Sequence, residues 1–180
     1  QVEKLGRGFK RHCGPTAITN IILTLRQRAG MDAPDPEQVF LRVAQEGRKS
    51  HIYVNMDFLG TFGGTSDYLI WFYLKKCLDA FGLGQCRVRW RKLYSPERLR
   101  DVFRRGGVAL MILRHHPRYR NHDVACYGMI KKGNRDYLLL ADGWSRGITE
   151  SPASDLRLAY FIEINLEEAC HVQEKEVQAR

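Results

Sequence analysis

The chain of 180 residues contains no apolar stretch approaching the roughly 18 residues that a membrane-spanning helix requires. Internal repeats, low-complexity tracts and a recognisable signal peptide are also missing. With 44% hydrophobic residues, the chain can still bury a sizeable core. These features predict one globular domain without a membrane span. Because the first residue is Gln1 rather than methionine, the native start is absent, and an earlier removed leader stays compatible with the sequence.

Cysteine is too sparse and too irregularly spaced for a disulfide framework or a zinc site. The five cysteines stand at positions 13, 77, 86, 126 and 170, an odd number without any Cys-x-x-Cys pair. We therefore expect the protein in a reducing compartment, the cytoplasm. Cys77, Cys86 and Cys126 fall on apolar faces, so we interpret them as packing residues.

Two patterns that would point to a ligand site are incomplete. No carboxylate or cysteine stands at ligand spacing from His115, His116 and His122, so we expect no metal and no other cofactor. The glycine-rich segment 60–65 precedes a helix but does not end in Gly-Lys-Ser/Thr. It is interpreted as a tight turn on the rim of a groove rather than as a phosphate loop.

Acidic residues are few relative to basic ones, 20 against 29, and the net charge is +9. A positive field of this kind can recruit nucleic acid, an anionic membrane or an acidic peptide. The segment from Arg87 to Arg91 alternates like a strand with one solvated face, and no known nucleic-acid motif accompanies it. We expect no specific nucleic-acid partner and take a peptide or protein substrate, acidic ones among them, as the partner class.

The segment Cys13-Gly14-Pro15 opens an amphipathic helix that ends near Gly30. A thiol at a helix start faces unpaired N–H groups and the positive end of the helix dipole, which favours thiolate over thiol. Gly14 permits close approach of another group, and Pro15 suits the first helical turn. This pattern predicts either a nucleophile at Cys13 or a small buried cysteine that only packs.

A partner for that thiol occurs more than a hundred residues later in the chain. His122 precedes one apolar strand, and Asp142 follows the next strand after a turn at Lys132-Gly133-Asn134. A hairpin brings the start of its first strand beside the end of its second, so His122 and Asp142 should meet. A carboxylate that orients an imidazole, which in turn deprotonates a thiol, is a catalytic arrangement. The joint placement favours catalysis over separate structural roles.

The order of elements predicts an α+β fold, with N-terminal helices packed on a C-terminal antiparallel sheet. Residues 1–166 should form one domain, and residues 167–180 a polar C-terminal helix or tail. Helices are expected from Cys13, after Asp35-Pro36 to Gly47, over Ser66–Phe81 and from Ser95. The third of these should be deeply buried. Strands are expected at 86–91, 107–113, 123–131, 136–141 and 159–165.

The sequence Cys13-Gly14-Pro15-Thr16-Ala17, a later histidine opening a strand and Asp-x-Trp at 142–144 resemble papain-like cysteine peptidases. The similarity is greatest to the bacterial branch that processes double-glycine leaders of bacteriocins, and it covers residues 12–20 and 121–144. It implies a papain-like fold and a thiol-dependent hydrolase. Cys13 would be the nucleophile, His122 the general base and Asp142 the third member of the triad.

One position departs from that branch, which usually carries a glutamine about six residues before the cysteine. Here the position is Arg7, so the oxyanion donor would be the Arg7 guanidinium or the backbone N–H of Cys13. Three alternatives stay open on these residues. They are an acyl transferase with the same triad, a catalytically weak or inactive peptidase-like binding domain, and a basic nucleic-acid or membrane-surface module.

Overall fold

A computed structural model describes residues 9–58, 62–156 and 158–166. Arg7 and the predicted tail 167–180 lie outside these ranges. The helices within them are α1 (Cys13–Arg28), α2 (Pro36–Lys49), α3 (Ile70–Ala80) and α4 (Pro96–Arg104). The strands are β1 (Tyr53–Phe58), β2 (Phe62–Thr65), β3 (Cys86–Arg91), β4 (Val108–His116), β5 (Arg120–Lys132), β6 (Arg135–Ala141), β7 (Thr149–Pro152) and β8 (Leu158–Leu166). A 3₁₀ turn, Ala153–Asp155, precedes β8.

Six strands form one antiparallel sheet in the order β3-β8-β4-β5-β6-β7. The α+β class and the five late strands are therefore confirmed, with ends that differ by up to three residues. The short hairpin of β1 and β2 was not predicted. Its second strand contains Gly63 and Gly64, both at positive φ, and glycine in a strand gives little strand signal.

The sheet is buried on both faces, which explains the continuous apolar run in β4. Val108, Leu110 and Ile112 join the core beneath α1 to α3. The alternate residues of the strand point the other way, into a second core that includes Leu99 of α4. The strand behaves as a central strand, as its sequence indicated.

Two predicted helix starts are confirmed by their caps. The Asp35 carboxylate accepts a hydrogen bond from the Glu37 backbone N–H at 3.1 Å, ahead of the first-turn proline. Ser95 Oγ accepts one from the Arg98 backbone N–H at 3.3 Å in the same way. Both helices begin where the sequence places the cap.

The prediction for α3 was wrong in two respects. Residues 67–69 form a turn, so the helix begins at Ile70 rather than Ser66. The helix was also expected to be deeply buried, but Leu69 and Phe72 are 46% and 45% exposed. Only one face of α3 meets the core, the face that carries Ile70, Tyr73, Leu74, Cys77 and Leu78. Among the helices of the described ranges, none is long and apolar enough to cross a bilayer.

Candidate active site

Cys13 is the first residue of α1, and the helix is anchored behind it by fully buried residues. The first helical hydrogen bond runs from the Thr16 N–H to the His12 carbonyl at 2.9 Å. A Cβ on Gly14 would lie 2.2 Å from Thr65 Oγ1, so only glycine lets β2 pack over this turn. The helix therefore holds Cys13 at the edge of the core, where the residue is mostly buried beside the β1–β2 hairpin.

His122 and Asp142 meet at the open end of the β5–β6 hairpin, as the sequence predicts. The contact is between His122 Nε2 and the backbone carbonyl of Asp142, at 2.7 Å. Because a carbonyl only accepts, Nε2 carries the proton and Nδ1 keeps its lone pair in the neutral ring. Burial lowers the pKa of His122, against a smaller raising effect of Asp142. The imidazole is thus neutral at pH 7, the form a general base needs.

Two aromatic rings fix the plane of His122. Tyr119 stacks on it with centroids 5.9 Å apart and an interplanar angle of 20°. Trp144 lies 4.4 Å away at 32°. Trp144 is itself 54% exposed, so it stands between the imidazole and solvent.

The Asp142 carboxylate was expected to orient His122, but it is hydrogen-bonded to other groups. It accepts hydrogen bonds from the Trp144 and Ser145 backbone N–H groups at 2.9 and 2.8 Å, and from the Ser145, Tyr119 and Thr149 hydroxyls. Burial alone would raise the pKa of Asp142, but these donors outweigh it and hold the pKa below its usual range. The carboxylate therefore orders the loop after β6, and His122 is oriented by the main chain.

The Cys13 thiol is bonded to a residue that the sequence analysis did not single out. Its Sγ donates to Asp123 Oδ2 at 3.5 Å. Within the part of the chain that the structure describes, no hydrogen bond joins Cys13 to His122. Burial raises the pKa of the Cys13 thiol, and the Asp123 charge raises it further. The expected thiolate is therefore a neutral thiol, because burial and a like charge oppose the helix terminus.

Cys13 and His122 line two cavities and lie where these adjoin. The larger one, here called the cleft, has a volume of about 510 Å³. The smaller one, here called the slot, has a volume of about 70 Å³ and is also lined by His12, Thr16 and residues 142–144. The other residues of the cleft are Arg11, Gly63, Gly64, Thr65, Asp67, Arg114, Arg120, Asn121 and Asp123. The glycine-rich segment thus lines the groove, as interpreted from sequence, but residues 62–65 form strand β2 rather than the expected tight turn.

Three charged residues that line the cleft, Asp67, Arg114 and Asp123, interact electrostatically. Arg114 donates Nε–H to Asp67 Oδ2 at 2.9 Å and makes a second contact to the other oxygen. Burial raises the pKa of Asp123 to about 6, with Arg114 lowering it and Asp67 raising it. Asp123 is only 4% exposed, and its Oδ1 has no hydrogen-bond partner among the described atoms. The site therefore contains a buried carboxyl group with one unused acceptor.

Sequence reasoning missed Asp123, Asp67 and the role of Arg114. Asp123 belongs to the polar start of β5, Arg120-Asn121-His122-Asp123, so the sequence around it gave no signal that its carboxyl group is buried. Asp67 and Arg114 are 47 positions apart, and no local pattern shows that they form an ion pair. The predicted oxyanion residue Arg7 lies outside the described residues.

A second buried histidine, His116, is held by hydrogen bonds at both ring nitrogens. Its Nδ1 accepts from the Arg118 and Tyr119 backbone N–H groups at 3.2 and 3.3 Å, so its Nε2–H donates to Ser151 Oγ at 3.1 Å. A histidine that donates to a hydroxyl cannot deprotonate it. Ser151 is therefore not a nucleophile activated by His116.

No protein-family model and no curated protein matches this sequence.

Proposed function

We propose that the chain is a thiol-dependent hydrolase with a papain-like fold, which cleaves a peptide or another amide bond. Cys13 is the nucleophile, His122 the general base and Asp142 the residue that orients His122. One observation carries the proposal. Cys13 and His122 line the same cleft and the same slot, and the hydrogen bond of Nε2 to the Asp142 carbonyl leaves Nδ1 as the basic nitrogen.

The proposed reaction begins when the thiol leaves Asp123 and passes its proton to His122 Nδ1. The sulfur then attacks the carbonyl carbon, and the oxyanion is met by the backbone N–H of Cys13, which has no partner inside the helix. His122 returns the proton to the leaving nitrogen, and water hydrolyses the thioester. Trp144 and Tyr119 keep the imidazole in place throughout.

A catalytically weak or silent binding domain is the second candidate, and one observation favours it. The Cys13 thiol is held by Asp123, and its pKa is raised by burial. A protein in which that contact never opens would keep the cleft and lose turnover.

The charges of the cleft support an acidic peptide as the substrate. Arg11, Arg114 and Arg120 line it, against Asp67 and Asp123. Arg114 and Asp67 neutralise each other, and the exposed Arg120 at the same cleft favours anionic side chains on the substrate. The four cysteines within the described ranges are free thiols, which supports a reducing compartment such as the cytoplasm.

The test is cleavage of a peptide library, followed by variants of the two reacting groups. Cys13→Ala should abolish turnover, and His122→Ala should lower it by roughly 10²-fold or more, because general-base catalysis has that typical value. The matched control is His51→Asn, which changes an exposed histidine at φ 54°, a conformation that asparagine tolerates. Turnover that survives Cys13→Ala excludes the proposed nucleophile.

A further inference from the structure

Asp123 is the most unusual side chain near the nucleophile. It is 4% exposed, it touches Cys13 Sγ through Oδ2, and its Oδ1 has no partner in the described part of the chain. Buried polar atoms almost always have hydrogen-bond partners, so an unused one that lines a cleft points to a ligand. The missing partner must donate a hydrogen bond, since a carboxylate oxygen accepts.

We infer that Asp123 controls the nucleophile in response to substrate: Oδ2 holds the Cys13 thiol at rest, and Oδ1 accepts a hydrogen bond from a substrate N–H group. The inference rests on the proposed function of Cys13. The ligand class is a neutral amide or another N–H donor placed beside the sulfur. An anionic group belongs farther out, at the arginines of the rim.

The physical basis is the repulsion between two adjacent negative charges. A Cys13 thiolate beside an ionised Asp123 is disfavoured, so Asp123 must be neutralised before the thiol ionises. A proton does this, and a hydrogen-bond donor on Oδ1 does it in part. The thiol proton then moves to His122 Nδ1, and no covalent bond to Asp123 forms or breaks.

Several charged or titratable groups surround the pair and act on the same equilibrium. Arg114 and Asp67 face Asp123 from β4 and from the turn before α3, and they act in opposite directions. Tyr53 on β1 interacts with Cys13, and His12 with His122. Arg11 and Arg120 also line the cleft. None of these side chains is hydrogen-bonded to Cys13 Sγ in the described structure, whereas Asp123 is.

Two alkylating reagents of similar size test the inference without any substrate. Iodoacetamide carries an amide that can donate to Oδ1, whereas iodoacetate carries a carboxylate that an ionised Asp123 repels. The measured quantity is the rate constant for alkylation of Cys13 by iodoacetamide divided by that for iodoacetate, both at pH 8. In Asp123→Asn that ratio should fall by roughly tenfold or more, and the pH midpoint of alkylation should also fall, because one adjacent charge has gone.

Asp136→Asn is the matched control, since it removes the same charge from a carboxylate that pairs with Arg100 outside the cleft. It should leave the ratio unchanged. A ratio in Asp123→Asn within twofold of the wild-type value overturns the inference, and so does a pH midpoint that rises. If Asp123→Asn does not fold, Asp123→Ser gives the same comparison.

The wild-type protein supplies an independent measurement. Its ratio should fall as the pH drops through about 6, where Asp123 takes up a proton. The fall in the ratio near pH 6 should persist in His122→Ala. If the fall is lost in that variant, it arises from His122, and the inference is overturned. Neither reagent is a substrate. A protein that cleaves nothing still yields the ratio, and an unchanged ratio leaves the cleavage assay unaffected.

Discussion

Gly14 decides how closely β2 approaches the nucleophile. Thr65 occupies the space that a side chain at position 14 would fill, and Thr65 Oγ1 is buried there without a partner among the described atoms. Both Gly14 and Cys13 therefore depend on the β1–β2 hairpin, an element that sequence did not predict. The glycine was interpreted correctly as a site of close approach, but its neighbour could not be named.

Replacing Gly14 by alanine should lower the free energy of unfolding by about 1–3 kcal/mol, because the new methyl overlaps Thr65. Urea denaturation measures the change. Gly147→Ala is the matched control, since nothing lies within 4 Å of its added Cβ, and it should be nearly neutral. Thr65→Ala in the Gly14→Ala background should recover part of the loss. Equal losses at positions 14 and 147 would contradict this packing argument.

Among the elements, the β5–β6 hairpin carries the site, and it was predictable from sequence. Its apolar strands and its Lys132-Gly133-Asn134 turn are local signals, which is why His122 and Asp142 were paired correctly. The sequence could not predict that the Asp142 carbonyl binds His122 while the Asp142 carboxylate binds the loop that follows. Whether a side chain or its own carbonyl meets the imidazole depends on the loop conformation, in which Gly143 adopts φ 75°.

Asp142→Asn separates these two roles. It keeps the carbonyl that binds His122 but removes the charge that accepts from Ser145 and Trp144. We expect a loss of about 1–3 kcal/mol in unfolding free energy at pH 7, typical of hydrogen bonds to a charged group. The pKa of Asp142 is lowered in the folded state, so its contribution is present above pH 3.8 and disappears as the pH falls further.

The gap between wild type and Asp142→Asn should therefore narrow in acid, as followed by urea unfolding from pH 7 to pH 3. Asp101→Asn is the control, since its exposed pair with Arg104 contributes little. An unfolding free energy unchanged at pH 7 would show that the carboxylate does not hold the loop.

The free energy of unfolding of the whole domain depends on pH through three histidines that are buried or partly buried. Burial lowers the pKa of His12, His116 and His122 below 6.5. Each binds fewer protons when folded than when unfolded, so each makes stability rise with pH up to about that value. Asp123 acts in the opposite sense, because its raised pKa favours the folded state at low pH and costs stability between pH 3.8 and about 6.

The unfolding free energy should therefore increase between pH 6 and pH 7.5, because the three histidines that titrate in the unfolded chain outweigh the opposite effect of Asp123, which is already about half ionised at pH 6. Urea midpoints at the two pH values measure it. His116→Asn keeps an acceptor for the Arg118 and Tyr119 N–H groups and should reduce the slope, whatever its effect on absolute stability. A slope that is zero or negative in wild type would contradict the lowered pKa values.

The thiol and its carboxyl neighbour are separated by 110 positions, and this spacing has a consequence for folding. The strands β4 to β7 pair with their sequence neighbours and can form early, but α1 must dock on β5 from far along the chain. Until it does, neither the His122 imidazole nor the Asp123 carboxyl group lies beside Cys13. Activation of the thiol by His122 and its restraint by Asp123 both require the complete tertiary structure, so turnover at this site depends on the docking of α1 on β5.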